Sequence, residues 1–280
     1  MIKFNQIYCE DCNYFMDNLK KDYDTIVDVI VTSPPYNIGK KYHTYNDNKD
    51  RNDYLDWLFQ VAKKSFAILK IDGSFFLNVG SITSDPLLPF QVAGKFILAG
   101  FVLQNTIHWI KSVSIEKEDV GIRNSSCSDG ISVGHFRPIN SNRFLTNLHE
   151  YIFHFTKSGD KLLDKLSIGV PYQDKTNINR WKSVTMDKRD RGNVWFISYP
   201  TIQQSRPHPA TFPEKLPRLC ISLHGYHKKN FLVYDPFMGI GNTALACLEL
   251  GINYIGTEID KDYIEYANEM ILKKLQKDSK

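Results

Sequence analysis

Two short runs in this 280-residue chain hold residue types suited to chemistry on a flat, amine-bearing molecule. The first is Val31-Thr32-Ser33-Pro34-Pro35-Tyr36-Asn37. Consecutive prolines fix the backbone and remove two donors, so the carbonyl of Ser33 or of Pro34 is left free. That carbonyl and the Ser33 hydroxyl can accept hydrogen bonds from an exocyclic amine. Tyr36 offers an aromatic face on which a ring can stack. The second run is DPFMGIGNT at 235–243. Gly239 and Gly241 permit a tight turn and close approach of backbone to a ligand. Asn242 and Thr243 then open a helix, whose first N–H groups have no partner of their own. Glu258 follows seventeen residues past Gly241. An acid at that place accepts the ribose hydroxyls of a nucleoside cofactor. The third glycine of the dinucleotide fingerprint is missing, with Ala244 nearby instead. Asp235 and Glu258 put two carboxylates around the turn, which would repel a pyrophosphate and suit a cation. S-adenosylmethionine, with its sulfonium and ammonium, fits better than NAD.

Both runs need strands that deliver them to one sheet edge. IVDVIVT at 26–32 is β-branched and nearly continuous, as in a strand buried on both faces. The spacing of Tyr54, Leu58, Val61, Ala62 and Phe66 predicts a helix over 53–70, with Asp53 as N-cap and IDG at 71–73 as its stop. SFFLNVG at 74–80 reads as the next strand, 91–98 as helix and 101–110 as extended. The alternation predicts an open α/β sheet. It fails over 111–145, which is rich in Ser, Asn, Gly and Arg. EYIFHFT at 150–156 reads as a short strand, and 157–206 as basic loops with Tyr172, Trp181, Trp195, Phe196 and Tyr199 interspersed. That stretch reads as an inserted module and not as more of the sheet. Order resumes with a helix over 215–224, a buried strand at 231–235, a helix over 242–250, a strand at 253–259 and a last helix from about Asp262.

TSPPYN at 32–37 together with DPFMGIGNT at 235–243 resembles the DNA amino-methyltransferases, which methylate N4 of cytosine or N6 of adenine. The order, catalytic motif before cofactor motif, is similar to the family's β class. The resemblance covers almost the whole chain. It implies a Rossmann-like α/β fold with permuted motif order, S-adenosylmethionine as cofactor and a target-recognition region between the motifs. The implied parts are 1–110 as the catalytic part, 111–206 as the recognition region and 207–280 as the cofactor-binding part. The implied catalytic residues are Ser33, Pro34, Pro35 and Tyr36. The implied cofactor residues are Asp11, Asp235, Phe237, Gly239, Gly241, Asn242, Thr243 and Glu258, with Phe212 from HPATFPEKLP at 208–217. Glu10 replaces the glycine that normally precedes Asp11 in this family. His149 and His154, in HEYIFHF, read as structural.

The charge pattern agrees with that division. The formal charge is +4, yet residues 111–206 hold 15 Lys and Arg against 10 Asp and Glu, and the rest holds 20 against 21. A basic middle on a neutral body suggests a polyanion. Arg123, Arg137, Arg143, Arg180, Lys182, Lys188, Arg189 and Arg191 are the candidate contacts to double-stranded DNA. Serine before PPY, after an aliphatic residue and threonine, resembles the N4-cytosine signature; adenine N6 is the alternative. A silent DNA-binding protein on the same fold and an NAD oxidoreductase are the readings from other classes. A C5-cytosine mechanism needs a thiolate beside a proline, and no cysteine here adjoins one. Cys9 and Cys12 form a CxxC without a second ligand pair, so no metal is expected. No apolar leader and no membrane-length run is visible, so a cytoplasmic protein with no membrane partner is expected. The resemblance leaves room for a cognate restriction endonuclease and for a homodimer.

Overall fold

Every residue of Val27–Thr32 is buried, so this strand can only lie inside a sheet covered on both faces. The computed structural model describes residues 2–120, 130–134, 136, 138–178, 187–198, 211–226 and 228–278. The chain runs β1 (Gln6–Cys9), α1 (Cys12–Asp22), β2 (Val27–Thr32), α2 (Arg51–Ile68), β3 (Leu69–Val79), α3 (Leu88–Leu98) and β4 (Val102–Ile110). β5 (Ser112–Ile115) and β6 (Ile131–Gly134) form a separate antiparallel ribbon. Then come β7 (His149–Thr156), β8 (Val194–Phe196), α4 (Lys215–His224), β9 (Leu232–Asp235), α5 (Asn242–Leu250), β10 (Asn253–Glu258) and α6 (Lys261–Asp278).

Eight strands share one sheet in the order β1-β10-β9-β2-β3-β7-β4-β8. β7 is antiparallel to both β3 and β4, and the other pairings are parallel. Neighbouring side chains along β3 enter different cores: Phe75 and Leu77 pack with the α1–α3 side, and Phe76 packs with the α4–α6 side. The chain winds outward from β2 to β3 in one direction and from β9 to β10 in the other. The β9–β2 boundary is therefore a topological switch point, where open α/β sheets place their ligands.

Two expectations are corrected at α2. Its N-cap is Asp50, whose carboxylate accepts from the Asn52 and Asp53 amides, so Asp53 lies inside the first turn. IDG does not stop the helix, because Leu69–Val79 is one strand that already includes it. The pairing with β2 jumps from Val27↔Leu69 to Val29↔Ser74, so these residues form a bulge. A Cβ at Gly73 would lie 2.7 Å from Leu69 Cγ and 2.9 Å from the Asp28 carbonyl oxygen. Close approach, not helix termination, explains that glycine.

The middle region is also more integrated than expected. β8 adds a strand beside β4, and Trp195, Ile168 and Ile197 enter the core next to Trp109. Trp109 Nε1 donates to the Ile197 carbonyl at 2.9 Å. At the far end of the sheet a buried polar chain crosses the layers. Asn105 Nδ2 lies 3.0 Å from His154 Nδ1, His154 Nε2 lies 3.0 Å from Ser74 Oγ, and His224 Nδ1 lies 2.8 Å from the same oxygen.

Candidate active site

β2 and β9 lie side by side, so TSPPY and the glycine turn leave the sheet together. Asp235, at the end of β9, locks them to each other. Thr32 Oγ1 donates to its Oδ1 at 2.6 Å, Thr243 Oγ1 to its Oδ2 at 2.6 Å, and the Phe237 amide to Oδ1 at 3.0 Å. Burial raises its pKa to about 6, against the pull of these donors. Gly239 and Gly241 both have positive φ, 52° and 88°. A Cβ at Gly241 would also lie 2.9 Å from Ala267 Cβ on α6, so only glycine allows this helix–turn contact. Glu258 closes the turn from β10. Its Oε2 accepts the Gly239 amide at 2.9 Å, and its Oε1 accepts the amides of Ile259 and Asp260 at 2.8 and 3.0 Å. Burial raises its pKa, while these backbone donors pull it down.

A cavity of about 600 Å³ opens at this edge. Ser33, Pro34, Pro35 and Tyr36 line it, and so do Asp11, Phe212, Phe237, Gly239, Asn242 and Glu258. The two sets expected from separate motifs thus share one space. Asp235, Gly241 and Thr243 do not line it. Asp235 accepts from both Thr32 and Thr243, which makes Asp235 and Thr243 braces of the turn. Asp11 lines the cavity and also caps α1, its Oδ1 accepting from the Asn13 and Tyr14 amides. Asn242 Nδ2 donates to the Phe212 carbonyl at 2.7 Å, which ties the histidine-proline segment to the glycine turn.

The TSPPY turn is held from below. Tyr54 of α2 donates to the Pro35 carbonyl at 2.8 Å. None of the described residues donates to the Pro34 carbonyl. Beyond Tyr36 the chain folds around buried Asp47, whose carboxylate accepts the amides of Asn37, Ile38 and Lys40 at 2.8, 3.2 and 2.9 Å. This loop brings Tyr42 and Tyr45 to the cavity. Tyr45 stands 5.7 Å from the Trp57 ring, and Trp57 stands 5.4 Å from Phe237. Acidic groups line the same space: Glu10, Asp11 and Glu258.

Sequence reasoning missed a polar group in the same cavity: Asn78, Lys111 and Glu150. Tyr36 Oη lies 2.8 Å from Ser33 Oγ and 3.0 Å from Glu150 Oε2, and Asn78 Nδ2 donates to both Tyr36 and Glu150 at 2.7 Å. Lys111 pairs with Glu150 Oε1. The available signal was a polar or charged residue within a largely apolar strand, Asn78 in SFFLNVG and Glu150 in HEYIFHF.

Of the candidate DNA contacts, Arg123, Arg137, Arg180 and Lys182 lie outside the described residues. Arg143, Lys188 and Arg189 are exposed. Arg143 stands three residues before Thr146, which lines the cavity. Arg191 is half-buried, and its Nε donates to the Ile168 carbonyl at 2.8 Å, so its first role is to brace that loop. Among the described residues one cluster brings metal-ligand types together, His43, Asp260 and Asp262. Asp260 is already engaged there, accepting the Asp262 and Tyr263 amides.

A family model described as DNA methylase, of the N6/N4 group, matches residues 27–269. The chain belongs to the DNA methylase family. This methylase is 26% identical to the type II methyltransferase M.BglII of Bacillus subtilis, over 95% of its own length and 69% of the relative's. It is 24% identical to the DNA adenine methyltransferase YhdJ of Escherichia coli K12, covering 88% of this chain and 76% of that one. Its fold matches the solved PvuII DNA methyltransferase, described as cytosine-N4-specific, with a TM-score of 0.62. That alignment covers 94% of this chain and 84% of the other at 19% identity. No described helix is long and apolar enough to cross a membrane.

Proposed function

We propose that this methylase transfers the methyl group of S-adenosylmethionine to an exocyclic amine of a base flipped out of double-stranded DNA, with cytosine N4 as the target. The observation that carries this reading is the shared cavity. Ser33 and Tyr36 on one motif, and Gly239 and Glu258 on the other, line one space at the β9–β2 switch point.

The lining fits the cofactor. Glu10, Asp11 and Glu258 favour a cation over a pyrophosphate. Phe212 and Phe237 supply apolar walls, and Asn242 stands where the α5 N-terminus opens. When bound, S-adenosylmethionine supplies an activated methyl group on sulfur. Glu258 holds Gly239 in place and retains acceptor capacity for a ribose hydroxyl. On the other side, the Pro34 carbonyl and Ser33 Oγ accept from the target amine, which draws its lone pair out of conjugation. The Tyr36 hydroxyl is tied down, so its ring is a fixed wall for stacking the base. Orientation provides the larger part of the acceleration. A flipped base is required because a stacked one cannot reach this depth.

Cytosine is favoured by Ser33 in the place where adenine enzymes more often carry Asp or Asn. Adenine N6 is the second reading, and the adenine-methylating relative favours it. The exposed Arg143, Lys188 and Arg189 support a DNA surface within the recognition region. The type II relative supports a role beside a restriction endonuclease. The test is mass spectrometry of nucleosides from DNA incubated with the protein and methyl-labelled cofactor. Label in N4-methylcytosine is expected. Label confined to N6-methyladenine would move the assignment to the second reading, and no label in DNA would remove both.

A further inference from the structure

Glu150 and Lys111 belong to neither motif, yet they end a hydrogen-bonded chain that begins at Ser33. We infer that Glu150 is the group to which the target amine's proton is passed, through the hydroxyls of Ser33 and Tyr36, with Lys111 holding it ionised. This rests on the amine-transfer reading above.

Charge sets the direction of the chain. An ionised carboxylate only accepts, so Tyr36 donates to Glu150 Oε2 at 3.0 Å. With its proton committed, the Tyr36 oxygen accepts from Ser33 at 2.8 Å and from Asn78 Nδ2 at 2.7 Å. Ser33 Oγ accepts a longer bond from Asn78 Nδ2 at 3.4 Å and keeps a lone pair for the amine. The same carboxylate fixes the Asn78 amide, because only its NH₂ end can face Oε2 at 2.7 Å. Space is reserved as well: a Cβ at Gly80 would lie 2.9 Å from Glu150 Cδ.

The step balances. The amine lone pair forms the new N–C bond as the C–S bond breaks, its electron pair remaining on sulfur. The nitrogen, now cationic, gives an N–H proton to Ser33 Oγ. Ser33 gives its own proton to Tyr36, and Tyr36 gives its proton to Glu150. A methylated neutral amine, a thioether and a protonated Glu150 result.

The groups facing Glu150 come from several elements. They are Lys111 after β4, Asn78 on β3, Tyr36 after β2 and His149 beside it on β7, with His108 of β4 next to His149. Burial works to raise the Glu150 pKa. Lys111, with the bonds from Asn78 and Tyr36, outweighs burial and holds it below the ordinary glutamate value.

The test is single-turnover methyl transfer to plasmid DNA across pH 5 to 9, with cofactor binding by calorimetry and thermal melting alongside. Glu150→Gln keeps the shape and removes the charge. It should slow transfer by about 100-fold, within the usual range for a proton-transfer group, and leave cofactor affinity within about twofold. Wild-type Glu150 is ionised across this range, so it should contribute no acid limb there. Lys111→Met should bring an acid limb into the range, since burial then dominates and raises the Glu150 pKa. Glu150→Asp should recover part of the rate. A Glu150→Gln rate within twofold of wild type would overturn the inference. So would an equal loss at every pH in both variants, with no acid limb gained in Lys111→Met, which is what mere support of the Tyr36 ring would give. Wild-type protein that binds cofactor and labels no DNA would overturn the amine-transfer reading itself.

Discussion

Tyr36 and Glu258 line one cavity, and on the proposed reading they divide its labour between base and cofactor. Tyr36 presents a fixed ring, and base–aromatic stacking contributes about 1–3 kcal/mol. Tyr36→Ala should therefore slow transfer by about 10- to 100-fold while calorimetry still detects cofactor binding. Glu258 carries a carboxylate bonded to three backbone amides. Charge-assisted hydrogen bonds contribute about 1.5–3 kcal/mol, so Glu258→Ala should weaken cofactor binding by about 10- to 100-fold. Equal loss of both properties in each variant would contradict this division. Residues inside a motif, or on the strand that follows one, were legible: Ser33, Tyr36, Gly239 and Glu258 all line the cavity. Glu150 was not. It reaches Tyr36 because β7 inserts between β3 and β4, with Val79 opposite Tyr151, and no local pattern encodes that pairing.

At the scale of elements, two buried devices brace the fold, one beside the site and one at the far end of the sheet. The loop after Tyr36 folds on Asp47, which satisfies three backbone amides at once. Asp47→Ala leaves those donors unpaired, so the segment 38–48 should become a protease cleavage site and cofactor affinity should fall. The chain through Ser74 is the second device. Burial lowers the pKa of His154 and His224 to about 3 from 6.5. Both are neutral when folded, and the unfolded chain takes up protons at 6.5. Their stabilisation is full above pH 6.5 and is lost as pH falls towards 3. Asp235, whose folded value of about 6 exceeds 3.8, acts in the opposite sense, as does Glu258, also raised by burial. The two histidines are displaced furthest, so melting temperature should fall on acidification from pH 6.5 to 4. A His154→Gln variant should show a flatter dependence over that range. Strand and helix existence was legible from period and composition. The bulge at Gly73 and the cap at Asp50 were not, because a neighbouring strand and a competing Asp decided them.

At the scale of the whole molecule, the excess charge lies in residues 111–206, and Lys188 and Arg189 are exposed members of that stretch beside β8. If each neutralises one phosphate, each alanine substitution should reduce the salt slope of DNA binding by about one. Transfer at saturating DNA should be unchanged. An unaltered slope would place the DNA elsewhere. That 112–115 and 131–134 stand outside the main sheet, as a separate ribbon, was legible as a break in the alternation. The return of 194–196 to the sheet was not, because a three-residue edge strand carries no period of its own.

The seam between β2 and β9 joins residues about two hundred positions apart. During synthesis β2 leaves the ribosome long before its partner exists. Six residues meant for burial then wait with one edge open, a template for wrong pairing. Nascent chains stalled short of Leu232 should be cut within 27–32 by proteases that full-length chains resist there. The same delay acts as an interlock. The TSPPY turn and the glycine turn meet only after β9 has been made, so a truncated translation product cannot assemble the cavity.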